Sequence, residues 1–359
     1  MVGLQTGNNS TKLQFAIPET KSSLFKILQE DNSQLQTMRD PLLNESDPDT
    51  SMSIESTRDP KRMSLEKQTF LSKARNQKNL AEHGTTVSLN LEPADFERLN
   101  NPQAVAHYAK EVTNYMKETE EKYLAKPNYM IKSQKDVNEK MRAIMIDWLI
   151  DVHLKFKLLP ETLFLTVNLI DRYLELVPVP RQKLQLVGIA SMLIACKYEE
   201  IYSPQVKDFV LVTDKAYTRE EVLEMEGKLL STLKFQLTAP SSFRFYERFA
   251  QLAKVGEKAR HLGCYLLELS LIEYKMMRYT PSMLACGALY VAMRSEGNER
   301  WSEALVRSSR YEQQAVKNCA AELAMLAAPL HEKIALTAAR RKYTLTKYGE
   351  VARVHLGNF

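Results

Sequence analysis

The stretch Met141-Arg-Ala-Ile-Met-Ile-Asp-Trp-Leu149 decides the fold, because its apolar residues recur at helical spacing. Positions i, i+3, i+4 and i+7 share one helix face, and here they hold Met141, Ile144, Met145 and Trp148. The roughly opposite face holds Ala143, Ile146 and Ile150. A helix with two apolar faces is either central to a bundle or presents one face to a partner. Both interpretations stay open, although polar residues between the faces favour some solvent access: Lys140, Asp147 and Asp151.

Outward from this stretch, the helical pattern runs from Asn101 to about residue 330. Asn101 and Pro102 form a typical helix start, with Asn at the N-cap and Pro at the first helical position. No segment alternates with period two for long enough to predict a strand, so the fold class is all-α. Apolar spacing and prolines together predict helices near 102–124, 136–157, 161–176, 181–198, 204–213, 218–235, 241–254, 257–274, 281–295, 300–308 and 311–328.

A short internal sequence similarity divides these helices into two repeats. Ser191-Met-Leu-Ile-Ala-Cys196 resembles Ser282-Met-Leu-Ala-Cys286, and each stretch stands third in a run of about five helices. The turn Thr238-Ala-Pro-Ser-Ser242 joins the two runs. We therefore expect two tandem five-helix repeats: residues 101–238, which include a preceding N-terminal helix, and residues 239–359, which end in a basic tail.

Residues 1–100 have a different composition, rich in Ser, Thr, Asn, Gln and Asp. No apolar period persists there beyond a few residues. Such a segment buries too little apolar surface to offset the entropy lost on ordering, and we predict a disordered regulatory tail.

Composition and motifs exclude several classes of protein. The net charge of +5 is too modest to indicate nucleic-acid binding by itself. The longest apolar run, Leu186 to Cys196, is too short to span a bilayer, which takes ~20 residues. The N-terminus has no basic-then-apolar signal peptide, so we expect a protein of the cytoplasm and nucleus with no membrane partner.

No catalytic or metal-binding pattern is present in the sequence. It lacks a glycine-rich phosphate loop, a His-Arg-Asp loop, a paired-histidine helix and a Gly-x-Ser-x-Gly elbow. The six histidines share no metal-ligand spacing. The cysteines lie in apolar helical stretches and predict buried free thiols: Cys196, Cys264, Cys286 and Cys319. We expect that the protein is not an enzyme and that it binds no metal ion and no cofactor.

Two charged residues lie among apolar neighbours. Arg142 falls within the deciding stretch, and Asp171 falls within Asn168-Leu-Ile-Asp-Arg-Tyr-Leu174. A buried guanidinium requires a carboxylate partner. We therefore predict a structural ion pair between Arg142 and Asp171, with no catalytic role for either.

Several motifs, in order, resemble the cyclin box of A- and B-type cyclins. They are Met141 to Leu149, Val167-Asn-Leu-Ile-Asp-Arg-Tyr-Leu174, Lys183-Leu-Gln-Leu-Val-Gly188 and Ala195-Cys-Lys-Tyr-Glu-Glu-Ile201. The resemblance covers about residues 101–330. It implies a non-catalytic regulatory subunit that forms a heterodimer with a cyclin-dependent protein kinase and activates it allosterically.

The resemblance also implies which residues hold the kinase. Lys197 and Glu226 match the lysine and glutamate that bond to backbone groups near the kinase C helix. Apolar anchors beside this pair are Tyr198, Leu230 and Phe235, and Tyr115 matches an anchor on the helix that precedes the box. Apolar anchors around a few charge-assisted hydrogen bonds are typical of a stable interface.

A second implied site is a hydrophobic docking patch for Arg-x-Leu peptides of substrates or inhibitors. Asp151 stands where A-type cyclins carry a glutamate that receives the basic residue of the peptide. The matching apolar and amide positions are Met141, Ile144, Met145, Trp148, Leu184 and Gln185.

Within the family, the sequence is more similar to B-type than to A-type cyclins, as in Tyr217-Thr-Arg-Glu-Glu-Val-Leu-Glu-Met225. This implies a role at the G2/M transition of the mitotic cell cycle. Ala239 replaces an arginine that animal B-type cyclins often carry, so a phosphate pocket built on that arginine is not expected. Candidate destruction-box cores are Arg39 with Leu42 and Arg62 with Leu65, neither with the usual downstream asparagine.

Two alternatives share the fold. A nucleic-acid-binding adaptor that resembles transcription factor IIB would begin with a cysteine-rich zinc ribbon, and residues 1–100 contain no cysteine. A helical scaffold without kinase activation is the other. The basic C-terminal end favours a solvated tail over a nucleic-acid contact: Arg340, Arg341, Lys342, Lys347 and Arg353.

Overall fold

A computed structural model describes residues 91–328 and 336–356 of the chain. Within these ranges every regular element is a helix and no strand occurs. The all-α prediction with tandem helical repeats is confirmed.

The first group of helices covers the N-terminal half of the described chain. Its members are α1 (Pro93–Phe96), α2 (Ala109–Thr119), α3 (Tyr129–Ser133), α4 (Glu139–Phe156), α5 (Pro160–Leu176), α6 (Leu184–Glu199), α7 (Val206–Val212) and α8 (Arg219–Thr232). Short 3-10 helices lie at Pro102–Ala104, Ala106–Tyr108, Glu120–Tyr123 and Arg181–Lys183.

The second group follows the turn at Ala239. Its members are α9 (Ser242–Ala253), α10 (Glu257–Ile272), α11 (Pro281–Ser295), α12 (Glu303–Ser309), α13 (Gln313–Ala327) and α14 (Ala338–Tyr343). Further 3-10 helices lie at Tyr274–Arg278, Thr346–Tyr348 and Val351–Arg353.

Local sequence explains where several of these helices begin. The Asn138 side chain caps α4 by accepting a hydrogen bond from the backbone N–H of Met141 at 3.0 Å. Thr218 and Glu221 cap α8 reciprocally, each side chain bonding the other residue's backbone N–H. Such caps satisfy backbone donors that have no partner inside the helix and stabilise it by roughly 1 kcal/mol.

The core of each repeat is built on one central helix. In the first repeat this helix is α6, where residues 186–196 are all buried, with α5 and α8 packed against it. In the second it is α11, packed against α9, α10 and α13. A Cβ at Gly287 would lie 2.9 Å from Cys319 Sγ, so glycine permits the close approach of α11 and α13.

The long helix predicted over 102–124 is wrong in its first half. Val105 adopts a left-handed conformation with φ 47°, which interrupts helical hydrogen bonding before α2 begins at Ala109. Helix α3 was not predicted, because its five residues are too few to show a helical period.

The predicted disordered tail also extends too far. Residues 92–98 pack against the second repeat, and Asp95 is buried. Both carboxylate oxygens of Asp95 accept hydrogen bonds from Arg248, one of them at 2.9 Å, and Glu92 pairs with Arg307 at 3.1 Å. A composition that is rich in polar residues does not reveal such pairs, because their partners lie more than 150 residues away in the chain. Residues 1–90 lie outside the described part of the chain.

The prediction of a solvated basic tail is likewise wrong at α14, which packs against α4 and α10. Lys342 is buried, and its Nζ lies 2.5 Å from Oε1 of the buried Glu268. The Tyr343 hydroxyl donates to the same oxygen at 2.8 Å. Because a buried ammonium is stable only with a carboxylate partner, Glu268 holds α14 in the folded core.

Candidate functional site

Two charged side chains from different helices meet at the surface of the first repeat. Lys197 lies in the last turn of α6, and Glu226 lies in the middle of α8. Lys197 Nζ donates to both Glu226 oxygens, at 2.6 and 2.9 Å. The Lys197 side chain is 49% exposed and the Glu226 side chain 12% exposed, so the ammonium is accessible to a partner.

Three apolar side chains, two of them exposed, follow the members of this charged pair along the chain. Tyr198 follows Lys197 directly and is exposed, Phe235 is 69% exposed, and Leu230 is half-buried against the core. Lys234 and Phe235 both adopt left-handed conformations, with φ 53° and 57°. Non-glycine residues in this region are strained and are common at functional sites. The backbone here therefore holds Phe235 out from the core at a conformational cost.

Helix α2 adds a second exposed apolar row. Tyr115, the predicted anchor, is exposed, as are Val112 and Tyr108. The three residues follow the spacing i, i+4 and i+7, so they lie along one side of the chain that forms α2. Of these three residues only Tyr115 is predicted above as an anchor, although the spacing is visible in the sequence.

Ile201 and Tyr202 are also part of this surface and were not predicted as site residues. They follow the C-cap residue of α6, Glu200, and are 90% and 91% exposed. Full exposure of two adjacent large apolar residues is unfavourable in an isolated protein and is typical of an interaction site. The sequence contains no local sign of it, because exposure depends on how neighbouring elements pack.

A cavity of about 570 Å³ opens between the two repeats beside α2. Tyr115, Glu161, Glu199 and Arg244 lie on its wall, and so does Ala239 at the turn between the repeats. Burial, together with the neighbouring carboxylate of Glu161, raises the pKa of Glu199. Since position 239 is alanine, the cavity has no basic side chain there.

The predicted docking residues lie partly at the surface of α4. Met141 and Ile144 are half-buried, as is Gln185 on α6, whereas Met145, Trp148 and Leu184 are buried. On the opposite face Ile146 and Ile150 are fully buried. The helix therefore fits both interpretations of its two apolar faces: it is central to the bundle, and one edge of its first face reaches solvent.

Trp148 has an unusual polar environment. The side chain is 7% exposed, and its indole Nε1 is buried without a hydrogen-bond partner among the described residues. A buried donor without an acceptor costs ~1–3 kcal/mol. An acceptor delivered to this point by a ligand would lower that cost.

Asp151, the predicted acidic residue of the docking patch, already has a cationic partner. Arg341 Nη2 of α14 lies 2.6 Å from each of its carboxylate oxygens. One turn earlier on α4, Asp147 accepts a hydrogen bond from the backbone N–H of Ala338 at 2.8 Å. Helix α14 thus lies along the acidic edge of the patch.

Arg142 and Asp171 are brought together beneath these surfaces. Arg142 Nε and Nη2 donate to the two Asp171 oxygens at 2.6 and 2.7 Å. Arg142 Nη1 donates to the Leu271 carbonyl at 3.0 Å, and the Tyr129 hydroxyl donates to Asp171 at 2.8 Å. Burial opposes the guanidinium charge, but the Asp171 carboxylate more than offsets this and raises the pKa of Arg142. The cluster connects α4, α5 and the second repeat.

All four cysteines are unpaired thiols, and burial raises the pKa of each. Within residues 91–328 and 336–356 no group of histidine, cysteine or acidic side chains is arranged to hold a metal ion. In the same ranges no helix is long and apolar enough to cross a bilayer. The destruction-box candidates Arg39 with Leu42 and Arg62 with Leu65 lie outside the described residues.

Comparison with protein families assigns both repeats. Residues 111–238 match the cyclin N-terminal domain, and residues 240–356 match the cyclin C-terminal domain. The chain belongs to the cyclin family. The two matched segments of this cyclin meet at Ala239, and the second includes α14, so the C-terminal helix is part of the domain.

This cyclin is similar to B-type cyclins. It is 44% identical to Cyclin-B2-1 of Oryza sativa subsp. japonica over 257 residues, which are 70% of this chain and 60% of the rice protein. It is 40% identical to Cyclin-B2-1 of Arabidopsis thaliana over 304 residues, or 84% of this chain and 69% of that protein. The chain thus spans about three fifths of the rice relative.

A solved structure shares the fold. The crystal structure of a viral cyclin from herpesvirus saimiri superposes with a TM-score of 0.53 at 21% identity. The superposition covers 59% of this cyclin and 97% of the viral chain.

Proposed function

We propose that this cyclin is the regulatory subunit of a cyclin-dependent protein kinase and acts at the G2/M transition, in cytoplasm and nucleus. The observation that carries the proposal is the Lys197–Glu226 pair inside an exposed apolar surface. Exposed apolar anchors around a few charged hydrogen-bonding groups are what a stable protein interface requires. Relatives named G2/mitotic-specific cyclins, from Medicago sativa subsp. varia and Spisula solidissima, support the mitotic assignment.

The proposed mechanism is allosteric. Lys197 and Glu226 would bond backbone groups near the start of the kinase C helix, while Tyr198, Leu230 and Phe235 pack beside them. Docking would move that helix inward, so that its glutamate pairs with the lysine that positions ATP. The cyclin would contribute binding energy that favours the active state of the kinase and would perform no bond chemistry.

The same proposal includes substrate recruitment through the docking patch on α4 and α6. Met141 and Ile144 are accessible enough to receive aliphatic side chains of an Arg-x-Leu peptide, and Gln185 flanks them. The unpartnered Trp148 Nε1 supports the assignment, since a peptide carbonyl oxygen is an acceptor of the kind it lacks.

The test is a kinase assay with purified components. The cyclin is mixed with a mitotic cyclin-dependent kinase that is already phosphorylated on its activation loop, and phosphorylation of histone is measured. We expect a large stimulation, which Lys197→Ala plus Glu226→Ala reduces at least about tenfold, a loss of ~1.4 kcal/mol.

A matched control lies on the same helix. Glu224 and Lys228 form an exposed ion pair at 2.6 Å, about half a turn of α8 away from Glu226. Glu224→Ala plus Lys228→Ala removes the same two charges and should leave the stimulation within about twofold of wild type. A folded cyclin that neither binds nor stimulates any such kinase would exclude the proposal and leave the helical-scaffold alternative.

A further inference from the structure

The charge environment of the docking patch points to an additional residue that determines specificity. Asp151 lies on the same side of α4 as the apolar side chains of Ile144 and Trp148, because it follows Ile144 by seven residues and Trp148 by three. An acidic group next to an apolar groove normally attracts a basic ligand residue. Here both carboxylate oxygens of Asp151 already contact Arg341 at 2.6 Å.

Arg341 is held in this position by its own helix. The preceding turn of α14 is fixed to α4 by the bond from the Ala338 N–H to Asp147, at 2.8 Å. The following residue, Lys342, is buried against Glu268 at 2.5 Å. Arg341 Nη1 also bonds Thr337 Oγ1 at 3.0 Å. The guanidinium is therefore preorganised on Asp151 and loses little side-chain entropy by staying there.

We propose that Arg341 is a specificity-determining residue of the docking patch: it occupies Asp151 and makes the patch select peptides by their aliphatic side chains instead of their basic residue. The inference rests on the docking patch of the proposed function. A basic ligand residue would have to displace Arg341 from Asp151 or share the carboxylate with it. The Asp151 side chain is only 12% exposed, which leaves little room for sharing.

As a consequence, the patch should not prefer basic peptides, although its carboxylate alone would attract them. A ligand arginine that exchanges one ion pair for another gains almost nothing, whereas Leu and other aliphatic residues keep their contacts with Met141 and Ile144. Removing Arg341 would uncover the carboxylate and restore the contribution of a half-exposed ion pair, about fivefold in affinity.

The test measures peptide binding to the full chain by fluorescence anisotropy. Two labelled peptides are compared, identical except for Arg or Ala at the first position of Arg-x-Leu. We expect the wild type to bind both within about threefold. Arg341→Gln should raise the Arg-over-Ala preference at least about fivefold above the wild-type ratio without changing the affinity for the Ala peptide. A smaller rise overturns the proposal.

Two further variants separate the explanations. Adding Asp151→Asn to Arg341→Gln should abolish the preference that Arg341→Gln alone creates, and a preference that persists in the double variant counts against the proposal. Arg353→Gln removes an exposed arginine that pairs with Glu350, and it controls for the change in net charge. If Trp148→Ala leaves peptide binding unaltered, or if neither peptide binds any variant, the docking patch itself is refuted, and this inference with it.

Discussion

Lys197 Nζ and Glu226 Oε1 lie 2.6 Å apart across α6 and α8, so the two groups proposed to hold the kinase are bonded to each other in the isolated cyclin. Half-exposed ion pairs of this kind contribute at most about 1 kcal/mol to stability. Exchanging the two residues, Lys197→Glu with Glu226→Lys, keeps the pair but reverses its polarity. We expect the free energy of unfolding in urea to change by less than about 1 kcal/mol, whereas kinase binding is lost.

The exchange variant separates interface chemistry from stability. If it binds and activates the kinase as well as the wild type, the polarity of the two groups plays no part in recognition. Calorimetric titration with the kinase provides the affinity, and circular dichroism verifies the fold.

Arg142 provides the second prediction, because it is fully buried with Asp171 and the Leu271 carbonyl as partners. Arg142→Met would leave the Asp171 carboxylate buried without its counter-charge. Breaking a buried pair in this way costs about 3–5 kcal/mol. We expect urea unfolding to report a loss of that size, with no direct effect on the surface residues Lys197 and Phe235.

The control is the double variant Arg142→Met with Asp171→Leu, in which no charge remains buried. It should lose clearly less stability than the sum of the two single variants, since replacement of a whole buried pair is much less costly than its disruption. Additive losses would mean that the two side chains do not interact.

Structural features that depend on residues close together in the sequence could be predicted from it, whereas contacts between residues far apart in the sequence could not. The helices of both repeats follow from local apolar spacing, and the ion pair of Arg142 and Asp171 was inferred because each charge interrupts an apolar run. Interactions over long distances along the chain were missed. Arg248 holds Asp95 and Arg341 holds Asp151, yet each pair joins residues more than 150 positions apart.

The C-terminal helix illustrates the same limit. Three consecutive basic residues, Arg340 to Lys342, have the composition of a solvated tail. One of them is buried because Glu268, 74 positions earlier, stands where α14 docks. No local period encodes that partnership, so tertiary packing overrides the compositional signal. The same holds for Ile201 and Tyr202, whose exposure no local pattern predicts.

Replacing glycine by alanine should have opposite effects on stability at two helical positions, Gly263 and Gly227. A Cβ at Gly263 of α10 would overlap the ring of the buried Tyr246, whereas one at Gly227 of α8 would have no atom within 4 Å. Gly263→Ala should therefore destabilise the cyclin by at least about 1–3 kcal/mol through overpacking. Gly227→Ala should stabilise it by about 0.5–1 kcal/mol, because alanine loses less entropy in a helix. Thermal unfolding of both variants is the measurement, and shifts of equal sign would contradict the packing described for α10.

His153 makes stability depend on pH. Burial and the nearby positive charge of Lys342 lower the pKa of its imidazole from 6.5 to about 3. The imidazole Nε2 forms a hydrogen bond with the Leu159 carbonyl oxygen at 2.9 Å. Between pH 6.5 and 3 the unfolded chain therefore binds a proton that the folded protein does not, so acid favours unfolding. His153 should remove up to about 1.4 kcal/mol of stability per pH unit below 6.5, or about 2 kcal/mol at pH 5, and none above 7.5.

In His153→Gln, whose amide can still donate to Leu159, urea unfolding at pH 7.5 and 5.0 should show a pH-dependent loss smaller by that amount. Equal losses in the two proteins would mean that the folded cyclin accepts a proton on His153 at pH 5.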